Sequence, residues 1–394
     1  MPDEPTHVVG GAEFDLLCLA ARPRPDLSLI RRLLDKGIDG EFLVLLAAQH
    51  GVRSNLLRCL ADLSWVSTPS VVRKELESFR HYHLQRTLSV AHELVTVATA
   101  LTGAGIPFAT FKGPMLALQL YGDLALREYS DVDLIVPEGD MERAEQVLAA
   151  RGYRNKQGDR AFRQAFLRHQ RQYALVREDF DAAIDLHWDF TVDPLPFPLR
   201  PAEIWSRLAF VSVGGCSVPT LAGEEVALLL AGHGTKEGWR NLGWVCDFAM
   251  LVERVPALDW ARIHERARRN RTGNSILLAF MIAHLLLETP LPAALADLIE
   301  RSPRIAGQAA GLVARLRSAP PDEIVHPPLE DLLLCDHASD RIWTAIKLTL
   351  APTPGDYEAL PLPPTLWPLY RLTRPIRLIA GGVGRAASRS SRPG

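Results

Sequence analysis

Residues 111–136 read FKGPMLALQLYGDLALREYSDVDLIV, which places a glycine turn, an apolar helix and a short strand in one unit. The strand begins with two acidic residues, Asp131 and Asp133, in an otherwise apolar run. Because residues i and i+2 of a strand point to the same face, both carboxylates are predicted to project together. Two like charges on one face repel each other unless a cation lies between them. The pattern therefore predicts a site for a hard divalent ion, most simply Mg²⁺ with oxygen ligands.

A third acidic residue lies downstream in a similar apolar setting, in the sequence AAIDLHW at 182–188. Asp185 of this segment is predicted to lie on a neighbouring strand. Three inward carboxylates can hold two metal ions about 4 Å apart, on the attacking and leaving oxygens of a phosphoryl displacement. An isolated Asp-x-Asp is often only a solvated strand edge, but apolar neighbours surround all three carboxylates here. Asp131, Asp133 and Asp185 are therefore predicted as catalytic residues and metal ligands.

The turn ahead of the first helix carries Lys112 and Gly113. A glycine at this point lets backbone N–H groups approach a phosphate, and a lysine adds a positive charge. Both residues are predicted to bind nucleotide, although a plain turn glycine beside a solvated lysine fits the pattern as well. Arg127 and Ser130 come just before Asp131 and are predicted either to meet phosphate oxygens or to hold the carboxylates in place.

Three further polar residues are candidates for the acceptor side of the site. His187 shares a strand face with Asp185, so it either orients a carboxylate or the acceptor, or is a buried structural histidine. His233 and Lys236 begin the later helical region and could line the cleft. The alternative is that His233 and Lys236 serve in helix capping and core packing, and the helical context favours this alternative.

Composition sets limits on the class of protein. The chain has 394 residues, with 47% hydrophobic and 23% charged residues and a net charge of −2. This is ordinary for a globular protein of two or three domains, and it gives no case for general electrostatic binding to nucleic acid. The five cysteines form no CxxC or Cys/His cluster, which favours buried thiols in a reducing cytoplasm over zinc or disulfides.

Membrane and other nucleotide-binding signals are not found in the sequence. The N-terminus is acidic and lacks the apolar segment of a signal peptide. The most apolar run, 276–287, is shorter than the roughly 18–20 residues that span a bilayer, so no transmembrane segment is predicted. No Walker A loop, Gly-x-Gly-x-x-Gly fingerprint or Gly-x-Ser-x-Gly elbow is present.

Periodicity divides the chain into four parts and predicts an α+β fold. These parts are an N-terminal helical region at 1–103, a core with a mixed sheet at 104–219, a C-terminal helical domain at 220–350, and a proline-rich segment with a basic tail at 351–394. The core strands are predicted at 106–111, 131–136, 153–156, 173–177 and 182–188, with a Gly214-Gly215 hairpin beyond them.

Local signals give further expectations at three places. Thr220 is predicted to cap the first C-terminal helix. His81, His83 and His92 lie in a helical stretch without acidic or cysteine partners, so they are predicted to form a solvated face. The proline-rich segment is predicted to wrap over the surface without regular structure, and its arginine-rich end allows a weak contact with a polyanion or membrane surface.

Several separate motifs, taken together, resemble one family. They are Lys112-Gly113, Tyr121-Gly-Asp, Arg127, SDVDLIV at 130–136, Gly152-Tyr153, IDLHW at 184–188, His233, LGWVCD at 242–247 and the proline-rich ending. In this order the motifs are similar to those of the uncharacterised bacterial nucleotidyltransferase family within the polymerase-beta-like superfamily. The resemblance covers roughly residues 80–375. The chain departs from the wider superfamily at Gly113-Pro114, where Gly-Gly or Gly-Ser is usual.

The resemblance implies a nucleotidyltransferase core flanked by helical regions and a nucleoside triphosphate substrate. It also implies that Asp131 and Asp133 hold both Mg²⁺ ions, and that Asp185 completes the triad and helps to deprotonate the acceptor. It supplies no acceptor, so a peptide, a protein, an RNA and a small molecule all stay open.

The predicted function is transfer of a nucleoside monophosphate. An acceptor hydroxyl would attack the α-phosphorus of the triphosphate in line, and pyrophosphate would leave. Two alternatives remain: a regulatory protein that binds nucleotide without turnover, and a kinase that uses the same metal site to transfer the terminal phosphoryl group.

Overall fold

The computed structural model describes residues 11–155, 170–318 and 330–378. Its first part is helical, and two of its helices begin at aspartate caps. The Asp26 carboxylate accepts hydrogen bonds from the Ser28 and Leu29 N–H groups, and Asp39 accepts one from Phe42. The helices are α1 (Ala12–Ala21), α2 (Leu27–Asp35), α3 (Gly40–Gln49), α4 (Arg53–Asp62) and α5 (Ser70–Gly103).

The long helix α5 connects this part to the sheet. Its C-terminal half buries Val90, Leu94, Val97 and Leu101 on one face, at the i, i+4, i+7 and i+11 spacing of an amphipathic helix. These side chains belong to the same hydrophobic cluster as the apolar residues of the sheet. The helix therefore covers one face of the sheet and leaves the other face for the polar site.

Among the described residues, seven strands form one mixed sheet. In chain order they are β1 (Ala109–Thr110), β2 (Asp131–Ile135), β3 (Arg154–Asn155), β4 (Gln172–Arg177), β5 (Phe180–His187), β6 (Ala209–Val213) and β7 (Cys216–Thr220). Their order across the sheet is β3-β4-β5-β2-β1-β7-β6. The two acidic strands β2 and β5 are parallel neighbours near the centre, whereas β1 runs antiparallel to β2.

Two helices of the core follow strands β1 and β2. Helix α6 (Gly113–Leu116) continues into a π-helical turn, Ala117–Tyr121, and α7 (Met141–Ala149) follows β2. The predicted helix at the glycine turn and the predicted hairpin at Gly214-Gly215 are both confirmed. Each glycine of that hairpin has a positive φ, as a two-residue turn between β6 and β7 requires.

Helices return after the sheet. They are α8 (Gly223–Lys236), α9 (Leu242–Arg254), α10 (Trp260–Arg269), α11 (Gly273–Leu287), α12 (Ala293–Glu300), α13 (Pro303–Ser318), α14 (Ala338–Leu350) and α15 (Pro354–Ala359). Helix α11 contains the most apolar run and is largely buried, as predicted. Among the described helices, none combines the length and apolar character that crossing a bilayer demands.

The buried apolar residues form two clusters. The larger cluster joins helices α1 to α4 with α8 to α13, so the N-terminal and C-terminal helices share one core although the sheet separates them in sequence. The smaller cluster lies between the sheet and helices α5 and α7. The helical parts therefore pack together beside the sheet.

Three local expectations need correction. Thr220 is not a helix cap: it ends β7 and pairs with Thr110, and Ala222 precedes helix α8. His83 is not on a solvated face: it is buried, because its ring stacks on Phe79 and meets the ring of Tyr129 edge-on. The proline-rich segment forms helix α15, which a capping box at Thr353 begins, and a 3₁₀ turn, Pro364–Leu369. The end of the basic tail, 379–394, lies outside the described residues.

A buried histidine at the contact between α3 and α9 predicts acid sensitivity. The His50 Nδ1 atom accepts a hydrogen bond from the Leu242 N–H, and burial lowers the pKa of His50 to about 4. An unfolded chain, with an ordinary pKa, binds a proton first as the pH falls below about 6.5. This contribution to stability is therefore complete above pH 6.5 and decreases as the pH falls toward 4. We expect the free energy of unfolding to drop by about 2 kcal/mol between pH 7 and pH 5 from this residue alone.

Urea denaturation at several pH values measures this effect, with His50→Gln as the comparison. Glutamine keeps a hydrogen-bond acceptor but does not titrate, so the variant should show a shallower dependence on pH. Equal slopes for the variant and the wild type would show that His50 does not cause the acid sensitivity.

Close packing in helix α8 gives a second prediction. A Cβ atom at Gly234 would lie 2.6 Å from ring atoms of Trp239, which is fully buried and cannot move aside. Gly234→Ala should therefore lower the free energy of unfolding by about 1–3 kcal/mol, the usual cost of overpacking. Gly307→Ala is the matched control, because nothing lies within 4 Å of its Cβ position in helix α13. The control should be neutral or slightly stabilising, and similar urea midpoints for the two variants would contradict the packing argument.

Candidate metal site

The register of two parallel strands brings the acidic residues together. Asp133 of β2 lies directly beside Asp185 of β5, and Ile135 lies beside His187. The His187 Nε2 atom is 3.1 Å from Asp133 Oδ1. Ligand atoms of Asp133, Asp185 and His187 all lie within 4.8 Å of one another. The strands therefore provide a compact group of two carboxylates and one imidazole.

Asp131 lies two residues before Asp133 on the same strand, beside Ala183 in the register. It is outside the compact group, but its charge interacts with it. The pKa of Asp131 is raised to about 6, mainly by burial and secondly by repulsion from the Asp133 carboxylate. The same two causes raise the pKa of Asp185. These carboxylates are thus crowded enough to resist ionising together.

The pKa of Asp133 moves in the opposite direction. Its burial favours the neutral acid, but the Lys112 ammonium and the His187 ring hold its pKa below the ordinary range. The Lys112 Nζ atom is 3.5 Å from Asp133 Oδ1. One lysine thus partly offsets the negative charge of three carboxylates. Oxygen donors with excess negative charge are what a hard divalent ion requires, so the donor set fits such an ion.

The turn after β1 has a geometric reason for its glycine. Gly113 has a φ of +49°, and a Cβ atom there would lie 2.8 Å from the Asp131 carbonyl oxygen. Only glycine allows helix α6 to begin this close to the start of β2. Pro114 follows in the first turn, where its missing N–H group costs no helical hydrogen bond. The Gly-Pro pair therefore brings Lys112 and the start of the helix to the carboxylates.

Arg127 does not hydrogen-bond to Asp131, Asp133 or Asp185 in the described contacts. Its Nε atom lies 3.0 Å from both carboxylate oxygens of Asp247 on helix α9, and its Nη2 atom is 2.9 Å from one of them. The Tyr121 hydroxyl donates a 2.8 Å hydrogen bond to the same carboxylate. Burial opposes the charge on Arg127, but Asp247 keeps its pKa above the ordinary value. In this structure Arg127 therefore ties the core to helix α9.

The other residues predicted near the site are placed as follows. The carbonyl of Ser130 accepts a hydrogen bond from Arg86, and its side chain is exposed. Lys236 forms an ion pair with Glu237, with 3.4 Å between Nζ and Oε1. His233 packs edge-on against Trp244. Burial, followed by the charges of Lys112 and Lys236, lowers the pKa of His233 well below its usual value, so this ring is near the site.

Some contributors to the site were missed in the sequence. Asp247 and Arg86 hold residues next to the carboxylates, but each is far from them along the chain. Arg53 holds Glu128 through three hydrogen bonds, two of them from its side chain. Arginine is abundant throughout the chain, so no local signal distinguishes Arg53 and Arg86. Asp247 ends the LGWVCD motif, but the sequence assigned no role in the site to it. His187 was predicted beside the carboxylates, and the structure places its ring among the candidate ligands.

A known protein family and a solved structure are similar to this chain. The sequence matches a family model described as uncharacterised nucleotidyltransferase over residues 36–288. No curated protein matches the chain. One similar solved structure is that of an antigenic nucleotidyltransferase-like protein from Paracoccidioides brasiliensis, at 16% identity and a TM-score of 0.30, covering 56% of this chain and 92% of that one. Because the family model covers more than half of the sequence, the chain belongs to the uncharacterised nucleotidyltransferase family.

Proposed function

We propose that the protein transfers a nucleoside monophosphate from a nucleoside triphosphate to a hydroxyl of an acceptor, with release of pyrophosphate. The observation that carries this proposal is the pairing of Asp133 with Asp185 on adjacent parallel strands, with the imidazole of His187 in contact. Family membership supports the same reaction class.

Asp131, Asp133 and Asp185 would hold divalent metal, with Mg²⁺ as the expected ion. The three carboxylates and Lys112 together carry a charge of about −2, which balances one such ion, and the negative charge of the triphosphate would balance a second. Bound ions would supply neutralisation of phosphate charge in the transition state. The crowding of the carboxylates supports this assignment, because Lys112 alone leaves excess negative charge in a partly buried group.

Each remaining residue has a role in binding or orientation. Lys112 and the backbone at Gly113 would bind the triphosphate at the start of helix α6. His187 would fix the orientation of the Asp133 carboxylate through its Nε2 atom. The Asp185 carboxylate would accept the proton of the acceptor hydroxyl. The contribution of the protein is mainly positioning and electrostatic stabilisation, as phosphoryl transfer requires.

The helical parts would form the walls that select the acceptor. In this proposal the core at 104–219 supplies the chemistry, and the regions at 1–103 and 220–350 flank it. His233 and Lys236 of helix α8 are the candidates for contact with the acceptor or the nucleobase. The charges of Lys112 and Asp133 both act on the pKa of His233, which supports a position near the metal site.

Labelled triphosphates test the reaction class. The protein is incubated with Mg²⁺ and either α-³²P or γ-³²P nucleoside triphosphates, with peptide, protein, RNA and small-molecule fractions as acceptors. The proposal expects α-label on an acceptor and its loss when EDTA is added. Transfer of γ-label would indicate a kinase. Binding of the triphosphate by calorimetry without any transfer would indicate a regulatory protein.

A further inference from the structure

Three residues shortly before Asp131, namely Arg127, Glu128 and Tyr129, are each held by a helix outside the sheet. Arg127 is bound by Asp247 of α9, and Glu128 by Arg53 of α4. The ring of Tyr129 packs on His83 of α5. The strand that carries two of the candidate ligands therefore starts from a segment that the helical parts position.

Arg86 of helix α5 differs from the residues that make these contacts, because it reaches both acidic strands. Its Nη1 atom donates a hydrogen bond to the Tyr129 carbonyl at 3.1 Å, and its Nη2 atom donates to the Ser130 carbonyl at 3.2 Å. These two carbonyls immediately precede β2. The same Nη2 atom donates to the Asp181 carbonyl at 3.1 Å, near the start of β5. One guanidinium thus bridges the beginnings of the two strands.

This bridge lies close to the first candidate ligand. The parallel ladder begins with Asp131 beside Ala183, so the three carbonyls lie one or two residues before its first pair. The Arg86 Nε atom is also 3.6 Å from the exposed Asp181 carboxylate, a pair that places opposite charges beside the start of β5. A planar fork of donors can satisfy three carbonyls at once, whereas a lysine ammonium acts as a single point.

We propose that Arg86 is a positioning residue that holds the starts of β2 and β5 together. It thereby sets the spacing of Asp131 and Asp133 from Asp185. This inference rests on the proposed metal role of the three carboxylates. Loss of the bridge would let the strand starts separate while the apolar core of the sheet keeps the fold.

A titration with Mn²⁺, in which electron paramagnetic resonance measures how much ion is bound, tests the inference without an acceptor. Arg86→Ala should weaken Mn²⁺ binding by about 10–100-fold, the range seen when a group that orients a metal ligand is removed. Arg86→Lys should recover only part of the affinity, because the three donors of an ammonium lie on one nitrogen and lack the span of the guanidinium fork. Amide hydrogen exchange in 130–135 and 181–187 should become faster in Arg86→Ala.

Arg177→Ala is the matched control. Arg177 also ties helix α5 to the sheet, through Glu93, and it pairs with Asp179, but neither partner lies next to a candidate ligand. This variant should lose stability yet bind Mn²⁺ within about twofold of the wild type. Arg86→Gln serves as a milder substitution if the alanine variant does not fold.

The outcomes separate this inference from the proposed function. Wild-type affinity for Mn²⁺ in folded Arg86→Ala or Arg86→Gln would overturn the positioning role. Equal weakening in the Arg177→Ala control would overturn it too, because a general loss of stability would then explain the effect. Absence of Mn²⁺ binding in the wild type would instead overturn the metal assignment on which the inference depends.

Discussion

Replacement of Asp133 by Asn should lower nucleotide transfer by more than about a hundredfold. Substitution of residues that only support a metal ligand typically costs 10–100-fold, and Asp133 is itself the central candidate ligand. Its carboxylate contacts both Lys112 and His187, so the amide removes one charge from the centre of the group while keeping its shape. The measurement is the rate of α-³²P transfer with the acceptor fraction found for the wild type.

The same substitution should lower the pKa values of Asp131 and Asp185 toward the ordinary range. Loss of the Asp133 charge removes one cause of the raised pKa values of Asp131 and Asp185. Metal affinity should fall with activity, so Mn²⁺ titration of the variant serves as a second readout. Asp185→Asn should behave similarly, because its carboxylate lies in the same compact group.

Asp179→Asn is the matched control for these variants. Asp179 lies in the turn between β4 and β5, on the hairpin that carries Asp185, but its side chain is exposed and pairs only with Arg177 in the described contacts. Activity of this control should be within about twofold of the wild type, because exposed ion pairs contribute little. Full transfer activity in Asp133→Asn would refute the metal site.

The sequence was sufficient to predict that Asp131 and Asp133 lie on the same face of one strand. The i, i+2 rule places Asp131 and Asp133 together, and the structure agrees. The pairing of Asp133 with Asp185 could not be derived in the same way. It depends on how β5 returns beside β2 after β4, and the β4–β5 ladder shifts register between Leu175 and Arg177. Alternation within a strand does not determine register between strands.

Contacts between distant parts of the chain also could not be predicted from the sequence. His83 lies on a helix with polar neighbours, and its burial depends on Phe79 and on the ring of Tyr129 from the core. Arg127 was predicted either to meet phosphate oxygens or to hold the carboxylates in place, because it precedes Asp131. Its hydrogen-bond partner Asp247 belongs to a helix that the shared hydrophobic core brings beside the sheet. Local patterns carry no information about such partners.

The ion pair between Arg127 and Asp247 gives the largest expected effect on stability. The Asp247 side chain is 3% exposed and that of Arg127 is 13% exposed. Removal of one partner of a buried ion pair leaves the other charge without compensation. Asp247→Ala should therefore lower the free energy of unfolding by about 3–5 kcal/mol, measured by urea denaturation. Tyr121→Phe removes the hydrogen bond from the hydroxyl to this carboxylate but leaves the ion pair in place, so it should cost less, about 1.5–3 kcal/mol.

A double substitution separates the charge from the packing. Arg127→Met with Asp247→Leu removes both charges and keeps most of the side-chain volume, so no uncompensated charge remains in the core. We expect this double variant to be more stable than Asp247→Ala and than Arg127→Met alone. The strand that begins at Asp131 would lose its tie to helix α9, so Mn²⁺ affinity should fall even where stability recovers. Additive losses of stability in the double variant would show that the two side chains do not act as a pair, and that helix α9 is held to the core by apolar packing alone.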